Sequence, residues 1–296
     1  MVLPEIWDPR VQEAIATIER DSLARVVTPP ADPETDPRLD AMARRLLERR
    51  PDRAANLAQA RGLMTDPIRF AVGLVALGEA DAAVAGATCP TSDVLRAALW
   101  LIGPAPGITL VSSSFYMVLA GPEGERVLTF TDAGVVPDPA PDQLVEIALA
   151  ASADRRRIVG DDPVVAFLSF STHGSASHPR VERVRRAAVM FRERSPDIPS
   201  DGELQVDAAL VPEVAARKAP GSPVGGMANV LVFPDLDSGN IGYKLVERLA
   251  GAGAIGPIVQ GLDRPVADLS RGATAGDVVD VATVALLQSE PSPTPA

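Results

Sequence analysis

The 296-residue sequence predicts an α/β protein built on mainly parallel sheets. Two observations carry that prediction. Short apolar runs alternate with amphipathic stretches along the chain, the pattern of strands joined by covering helices. Three glycine- and hydroxyl-rich turns, SFSTHGSASHP (Ser169 to Pro179), FPDLDSGNIGYKL (Phe233 to Leu245) and DLSRGATAGD (Asp268 to Asp277), each follow such a run. In parallel α/β proteins the loops leaving the strand C-terminal ends converge on one edge of the sheet. Helix N-termini there offer free backbone N–H groups to anions. The three turns therefore point to a phosphate-rich ligand.

Strands are expected at Ala24 to Val27, Ala82 to Ala85, Ile108 to Ser112, Val164 to Ser169, Asn229 to Phe233 and Pro257 to Val259. Helices are expected at Pro9 to Arg20, Pro67 to Leu77, Thr91 to Ile102, Pro141 to Ala151, Pro179 to Glu193 and Gly239 to Leu249. Several of these begin at or just after Pro, Ser, Thr or Asp, the residues that start helices. Between Leu110 and Ala133 the texture changes. VSSSFYMVLAGPEGERVLTFTDAG reads as two strands joined by a Gly-Pro-Glu-Gly turn, a hairpin that opens a second domain. The tail SEPSPTPA reads as a solvated end, and no internal repeat is visible.

Composition narrows the function classes. No apolar run approaches the roughly 20 residues of a membrane span, and MVLPEIWDPR lacks the basic and apolar regions of a secretory signal. The single cysteine, Cys89, excludes an intramolecular disulfide, and His173 and His178 are the only histidines, so no imidazole or thiolate metal cluster is expected. Together these place the chain in the cytoplasm. A net charge of −11 opposes nonspecific binding to nucleic acid or anionic lipid. An anionic ligand would need a local cluster of arginines and helix ends.

The segments SFSTHGSASHP, DGELQVDAALVPEVAARKAPGSPV, ANVLVFPDLDSGNIGYKLVERL, AIGPIVQGL and DLSRGATAGD resemble, in order and spacing, the phosphate acetyltransferase (phosphotransacetylase) family. The resemblance is strong from about Val164 to Val284. It is fainter in the first third, where LPEIWDPRV, LGEADAAVAGA and TSDVLRAAL still match. It implies two three-layer α/β/α domains with an active site in the cleft between them, usually in a homodimer. Domain I would comprise residues 1–106 plus 259–296, and domain II the inserted residues 107–258. The implied reaction is reversible acyl transfer between coenzyme A and inorganic phosphate, through a ternary complex in which the thiol attacks the acyl phosphate directly. Coenzyme A, acetyl phosphate and phosphate are then substrates, and no separate cofactor or metal is implied.

Within DLSRGATAGD the resemblance assigns three catalytic residues. Asp277 matches the carboxylate that would take the proton of a thiol with a pKa near 8.5. Arg271 would meet charge on the carbonyl oxygen and phosphate with its planar donors. Ser270 would position the thiol or stabilise the oxyanion, without itself becoming acylated. A plainer reading stands beside this one: Thr274 followed three residues later by Asp277 is also a capping box, and an exposed serine next to an arginine is commonly just solvated.

Substrate-binding positions carried over are Arg96, in TSDVLRAAL, and Arg50, in LLERRPDRAANLAQARGLM, where the neighbouring Arg49 leaves the register open. Either arginine is equally a helix-face charge in solvent. Ser171, Thr172, Gly174 and Ser175 would approach phosphate through small side chains; the alternative is an ordinary strand-to-helix loop. His178 reads as a packing or capping residue. Around Asp235, Ser238, Gly239 and Asn240, capping explains Ser238 well, with a place in the substrate pocket as the other reading.

The chain departs from the family pattern at several places. Ile6 and Trp7 interrupt the usual run between Pro4-Glu5 and Asp8-Pro9-Arg10, His173 and Met227 stand where lysines are usual, and TPPADPETDP replaces part of the first domain. Other readings are a butyryl or different acyl preference, a noncatalytic acetyl-CoA-binding module, and a nucleotide-dependent dehydrogenase. The module would lack the Ser-Arg-Gly and following Asp that this chain keeps, and the dehydrogenase would carry a GxGxxG after a strand, which is not seen.

Overall fold

The computed structural model describes residues 1–121 and 124–290 and divides the chain into two compact units. One contains Met1–Gly107 and returns at Gly256; the other is Ile108–Ile255.

The first unit begins with α1 (Pro9–Arg20), started by Asp8, whose carboxylate accepts the Arg10 N–H, and by Pro9 in the first turn. A short 3-10 turn (Pro33–Thr35) lies in the proline-rich segment. Then come α2 (Leu39–Arg49), α3 (Leu57–Met64), α4 (Pro67–Ala76), β1 (Ala83–Ala85) and α5 (Thr91–Leu101). Leu39, Met42 and Leu46 of α2 pack with Phe70 and Leu74 of α4, Val94 and Leu101 of α5, and Ala83 and Ala85 of β1. The expected strand at Ala24 to Val27 shrinks to one bridge, Val27 to Val2, and Val2 bridges in turn to Ala83. The helices α2 and α3 lie outside the expected set, although Leu39, Met42, Ala43 and Leu46 form a buried stripe on α2 at helical spacing.

The second unit opens with the expected hairpin, β2 (Ser112–Gly121) and β3 (Gly124–Thr131), paired antiparallel from Ser114 with Thr131 to Gly121 with Gly124. The predicted strand at Ile108 to Ser112 begins only at its last residue. Pro122 and Glu123 of the predicted turn lie outside the described residues.

The unit continues with α6 (Pro141–Ile158), β4 (Val165–Leu168), α7 (Pro179–Arg194), β5 (Ser200–Leu204), α8 (Val206–Leu210), α9 (Pro212–Lys218), β6 (Val230–Val232), α10 (Leu236–Ala250) and β7 (Gly253–Gln260). Its six-stranded sheet has the order β5-β4-β6-β3-β2-β7, with β5, β4, β6 and β3 mutually parallel. Alternate residues of the central strands enter opposite layers. Val165, Phe167, Val230 and Val232 pack with Leu144 and Ile147 of α6 and Phe191 of α7. Ala166, Leu168 and Leu231 pack on the other side with Ala208 of α8 and Tyr243 and Val246 of α10. The helix expected at Gly239 to Leu249 starts earlier, at Leu236, because Asp235 rather than Ser238 is its cap: the Asp235 carboxylate accepts the Ser238 N–H at 2.9 Å.

The chain passes back to the first unit within β7, at Gly256, and continues there with β8 (Val266–Asp268), parallel to β1 with Ala85 opposite Asp268, and α11 (Ala275–Ser289). Of the predicted tail, residues 291–296 lie outside the described residues. No helix is long and apolar enough to cross a membrane among the described residues.

Candidate active site

All three turns singled out in the sequence leave the C-terminal ends of parallel strands and enter helices. Two, after β4 and β6, belong to neighbouring strands of the six-stranded sheet; the third, after β8, belongs to the first unit.

In the turn after β8, Asp268 ends the strand and Leu269 N–H bonds back to Ala85. Ser270 and Arg271 then project into solvent. The Ser270 Oγ accepts the Gly272 N–H at 3.3 Å. The Arg271 guanidinium makes no hydrogen bond or ion pair among the described residues, although the Arg271 carbonyl accepts one from Arg10 at 2.9 Å. Thr274 and Asp277 form the capping box: Asp277 Oδ2 accepts the Thr274 N–H at 2.7 Å and its hydroxyl at 2.9 Å, and Thr274 Oγ1 accepts the Asp277 N–H at 3.2 Å. Both side-chain bonds fall on Oδ2. Oδ1 of this exposed carboxylate carries none among the described residues, so capping and a second task are compatible at Asp277.

Beneath this turn lies a buried carboxyl that sequence reading passed over. Asp268 is fully buried, with the Thr91 hydroxyl donating to Oδ2 at 2.5 Å. Burial, opposed by that hydroxyl and reinforced by Glu5, pushes its carboxyl up to about 7. Gly86, at a φ of +111°, is required here, since a Cβ would stand 2.4 Å from Asp268 Oδ1. The buried Glu5 carboxylate accepts the N–H groups of Gly86, Ala87 and Thr88 and the Thr88 hydroxyl, at 2.6 to 2.9 Å. Cys89, half-buried beside these acids, has its thiol pushed up to about 12 by burial and then by Glu5, Asp268 and Asp93. It is no thiolate nucleophile at neutral pH.

The two further arginines of this unit are each paired. Arg96, exposed on α5, meets Asp93 one turn earlier at 2.6 Å. Arg50, just past α2, forks onto Asp52 at 3.1 and 3.2 Å. Its neighbour Arg49 instead lays its guanidinium over Gly103.

In the turn after β4, Ser171 and Thr172 are buried, while Gly174 and Ser175 are exposed. Their polar groups are engaged within the unit. The Ser171 hydroxyl donates to Glu203 at 2.9 Å and the Gly174 N–H, at a φ of +83°, donates to the same oxygen at 2.8 Å. Ser175 Oγ accepts the Thr172 N–H at 3.0 Å, and Thr172 Oγ1 accepts the Gln205 N–H at 2.9 Å. Burial alone would raise the Glu203 carboxyl; the Arg185 guanidinium, the Gly174 N–H and the Ser171 hydroxyl outweigh it and hold it at about 2. His173 pairs its Nε2 with Asp201 at 2.9 Å. His178 caps α7 by accepting the Arg180 N–H, as a capping residue should. A concavity of 510 Å³ opens beside this turn, lined by Gly174, Ser177, His178 and Arg185 among others.

Both acids came from β5, whose sequence SDGEL carries no apolar alternation and is missed by pattern reading. The signal that could have found it is the pairing need of Asp201 and Glu203 within a strand-length gap between α7 and α8. Among the described residues no group of three His, Cys, Asp or Glu side chains is arranged to hold a metal ion.

The scaffold is thus an α/β one that carries an exposed serine-arginine pair at a strand exit and a carboxylate on the following helix. The family model described as phosphate acetyl/butaryl transferase matches residues 28–286, and the chain belongs to that family. A phosphate acetyltransferase from Paracoccus denitrificans is 46% identical over 302 residues, covering 98% of this chain and 95% of that protein. One from Acetivibrio thermocellus is 44% identical, covering 98% of this chain and 94% of that protein. A crystal structure of a phosphotransacetylase from Streptococcus pyogenes superposes with a TM-score of 0.91 at 39% identity, covering 98% of this chain and 93% of that one.

Proposed function

We propose that the chain is a phosphate acetyltransferase that interconverts acetyl-CoA plus phosphate with CoA plus acetyl phosphate. The relatives that share more than two-fifths of its sequence along nearly its whole length carry that name, which favours acetyl over butyryl or other acyl groups. The observation that carries the reading is the Arg271 guanidinium: exposed, without a partner among the described residues, and followed on the next helix turn by the open Oδ1 of Asp277. Retention of Ser270, Arg271, Gly272 and Asp277 speaks against a noncatalytic acetyl-CoA-binding module.

In this reading Asp277 takes the proton of the CoA thiol. The sulfur attacks the carbonyl carbon of acetyl phosphate, the carbon–sulfur bond forms, and phosphate leaves with the carbon–oxygen bond pair. Arg271 neutralises the charge gathering on the carbonyl and phosphate oxygens, and Ser270 donates to the oxyanion. Arg96 and Arg50 bind substrate phosphates by exchanging Asp93 and Asp52 for them, exposed ion pairs of little strength. At the turn after β4, Ser171 and Gly174 act by shaping the loop around Glu203, while Thr172 and Ser175 hold its backbone for ligand contact.

The two compact units correspond, in this proposal, to a discontinuous domain I and an inserted domain II. The protein works in the cytoplasm as a homodimer. Ile241, Leu245 and Leu249 lie exposed at four-residue spacing along α10, an apolar stripe suited to a second copy. Thioester formation from purified protein, CoA and acetyl phosphate, with butyryl phosphate alongside, tests the reaction; no turnover of acetyl phosphate would overturn it. Light scattering on Leu245→Glu tests the dimer.

A further inference from the structure

Arg10 uses every donor of its guanidinium on three separate pieces of the first unit. Nε donates to Asp8 Oδ1 at 3.0 Å, and Nη2 to Asp8 Oδ2 at 2.7 Å and to the Ala87 carbonyl at 2.9 Å. Nη1 donates to the carbonyls of Arg271 at 2.9 Å and Ala273 at 2.8 Å. Five N–H groups thus meet five acceptors. The partners run from the start of α1 to the loop after β1 and to the turn after β8. Glu5, five residues earlier in the chain, holds that same loop after β1 by the backbone N–H groups of residues 86–88. The Asp8 carboxyl is held below its usual range, first by its hydrogen bond to Arg10, so the fork is a charged pair across the neutral range.

We infer that Arg10 is a positioning residue that sets the Ser270–Arg271 turn for catalysis by fixing the Arg271 and Ala273 carbonyls. The inference rests on the functional reading above. The Arg271 carbonyl lies in the peptide plane that joins Arg271 to Gly272 and the Ala273 carbonyl in the plane that joins Ala273 to Thr274, so holding both fixes the planes that bracket Gly272 and Ala273 and restrains the direction in which the Arg271 side chain leaves the backbone. A lysine at position 10 brings all its donors from one nitrogen and cannot span acceptors that lie on two sides of a planar fork. Small displacement of a catalytic group is enough to lower turnover by about a hundredfold.

The test uses the full chain with Arg10→Lys, Arg10→Ala, Arg271→Ala and the Arg10→Ala/Arg271→Ala pair, read by steady-state kinetics and by amide hydrogen exchange over residues 268–277. Expected for Arg10→Lys and Arg10→Ala is a fall in kcat of about tenfold to a hundredfold with KM for CoA and acetyl phosphate little changed. Exchange at residues 271–273 should quicken. The double variant should be no slower than Arg271→Ala alone, because Arg10 acts only through that turn. Unchanged kcat in both Arg10 variants, or losses that simply multiply in the double variant, would overturn the inference. If Arg10→Ala does not fold, Arg10→Lys carries the same comparison. A wild-type protein that makes no thioester removes the functional reading alone; faster exchange at 271–273 in Arg10→Lys then still supports the brace, and unchanged exchange overturns it too.

Discussion

The Glu203 carboxylate accepts the Gly174 N–H at 2.8 Å, so the turn that reads in sequence as an anion cradle closes on an anion of its own chain. Asp235 does the same at the start of α10 and Asp277 at the start of α11, each accepting the N–H three residues away or its own cap's. What separates the turns is the reach of the carboxylate: two are local, and Glu203 comes from another strand.

Replacing Glu203 by glutamine should destabilise the second unit at neutral pH by about 2 to 3 kcal/mol, since Arg185 loses the charge of its buried partner and the amide keeps only one of the two acceptor oxygens that the turn and Arg185 share. The folded carboxyl titrates near 2 against an ordinary 4.5, so its contribution is present above pH 4.5 and is lost as pH falls through 2. Denaturant midpoints should therefore separate wild type and Glu203→Gln at pH 7 and bring them together in strong acid. Equal midpoints at pH 7 would show that the acid does not hold the turn.

Arg271→Ala should cut kcat by about a hundredfold to a thousandfold, the loss seen when a fixed donor to developing charge is removed. Its stability should be unchanged, as the side chain is exposed and unpartnered among the described residues. Activity that survives the substitution would dissociate the serine-arginine turn from the chemistry.

For Asp277 the cap and the base can be told apart. Asparagine retains an oxygen for the Thr274 N–H and hydroxyl and so keeps the cap, but cannot take a proton. Asp277→Asn is expected to lower kcat by about a hundredfold or more with the melting temperature nearly unchanged. Wild-type turnover in this variant leaves capping as its whole role.

Asp268→Asn probes the buried carboxyl. Its folded pKa of about 7 lies above the unfolded 3.8, so the folded state holds a proton that the unfolded state has released between those values. Stability is complete below pH 4 and falls as pH rises through 7, by on the order of 4 kcal/mol for this group. The amide never ionises. The variant should match wild type below pH 4 and exceed it at pH 8, as measured by unfolding midpoints across that range; parallel curves would refute the shift.

Cys89→Ser should leave turnover within about twofold, because a thiol pushed up to about 12 is one part in roughly ten thousand thiolate at pH 8. Thiol reagents at that pH should react with the unfolded chain far faster than with the folded one. Inactivation by the substitution would give this side chain a place in the site.

Elements set by neighbours in sequence were legible. Asp8 and Pro9 announce α1, Pro179 after His178 announces α7, and Thr274 with Asp277 announces the box that starts α11. The hairpin between Leu110 and Ala133 was legible for the same reason, since alternation and a glycine-bounded turn act over a few residues. Polar β5 was not: Asp201 and Glu203 make SDGEL look like a loop, and only partners from α7 and the turn after β4 let it be buried. Helix α6 runs to Ile158 beyond its expected end because Arg155, fully buried, finds Asp161 and the carbonyls of Val127 and Asn229.

By itself the sequence determined the α/β class, the strand-turn-helix signals and the capping box of Thr274 and Asp277, because periodicity and caps are properties of nearby residues; Ser270, Arg271 and Asp277 stand as catalytic candidates through the family resemblance alone. The tertiary structure alone decided which donors remain open. Glu203 closed the turn after β4 from 29 residues away, and Arg10 reached across 261 residues of chain to the Arg271 carbonyl. Whether a hydrogen-bonding group is free or satisfied depends on what folding brings within about 3 Å of it, and distance along the chain does not carry that information.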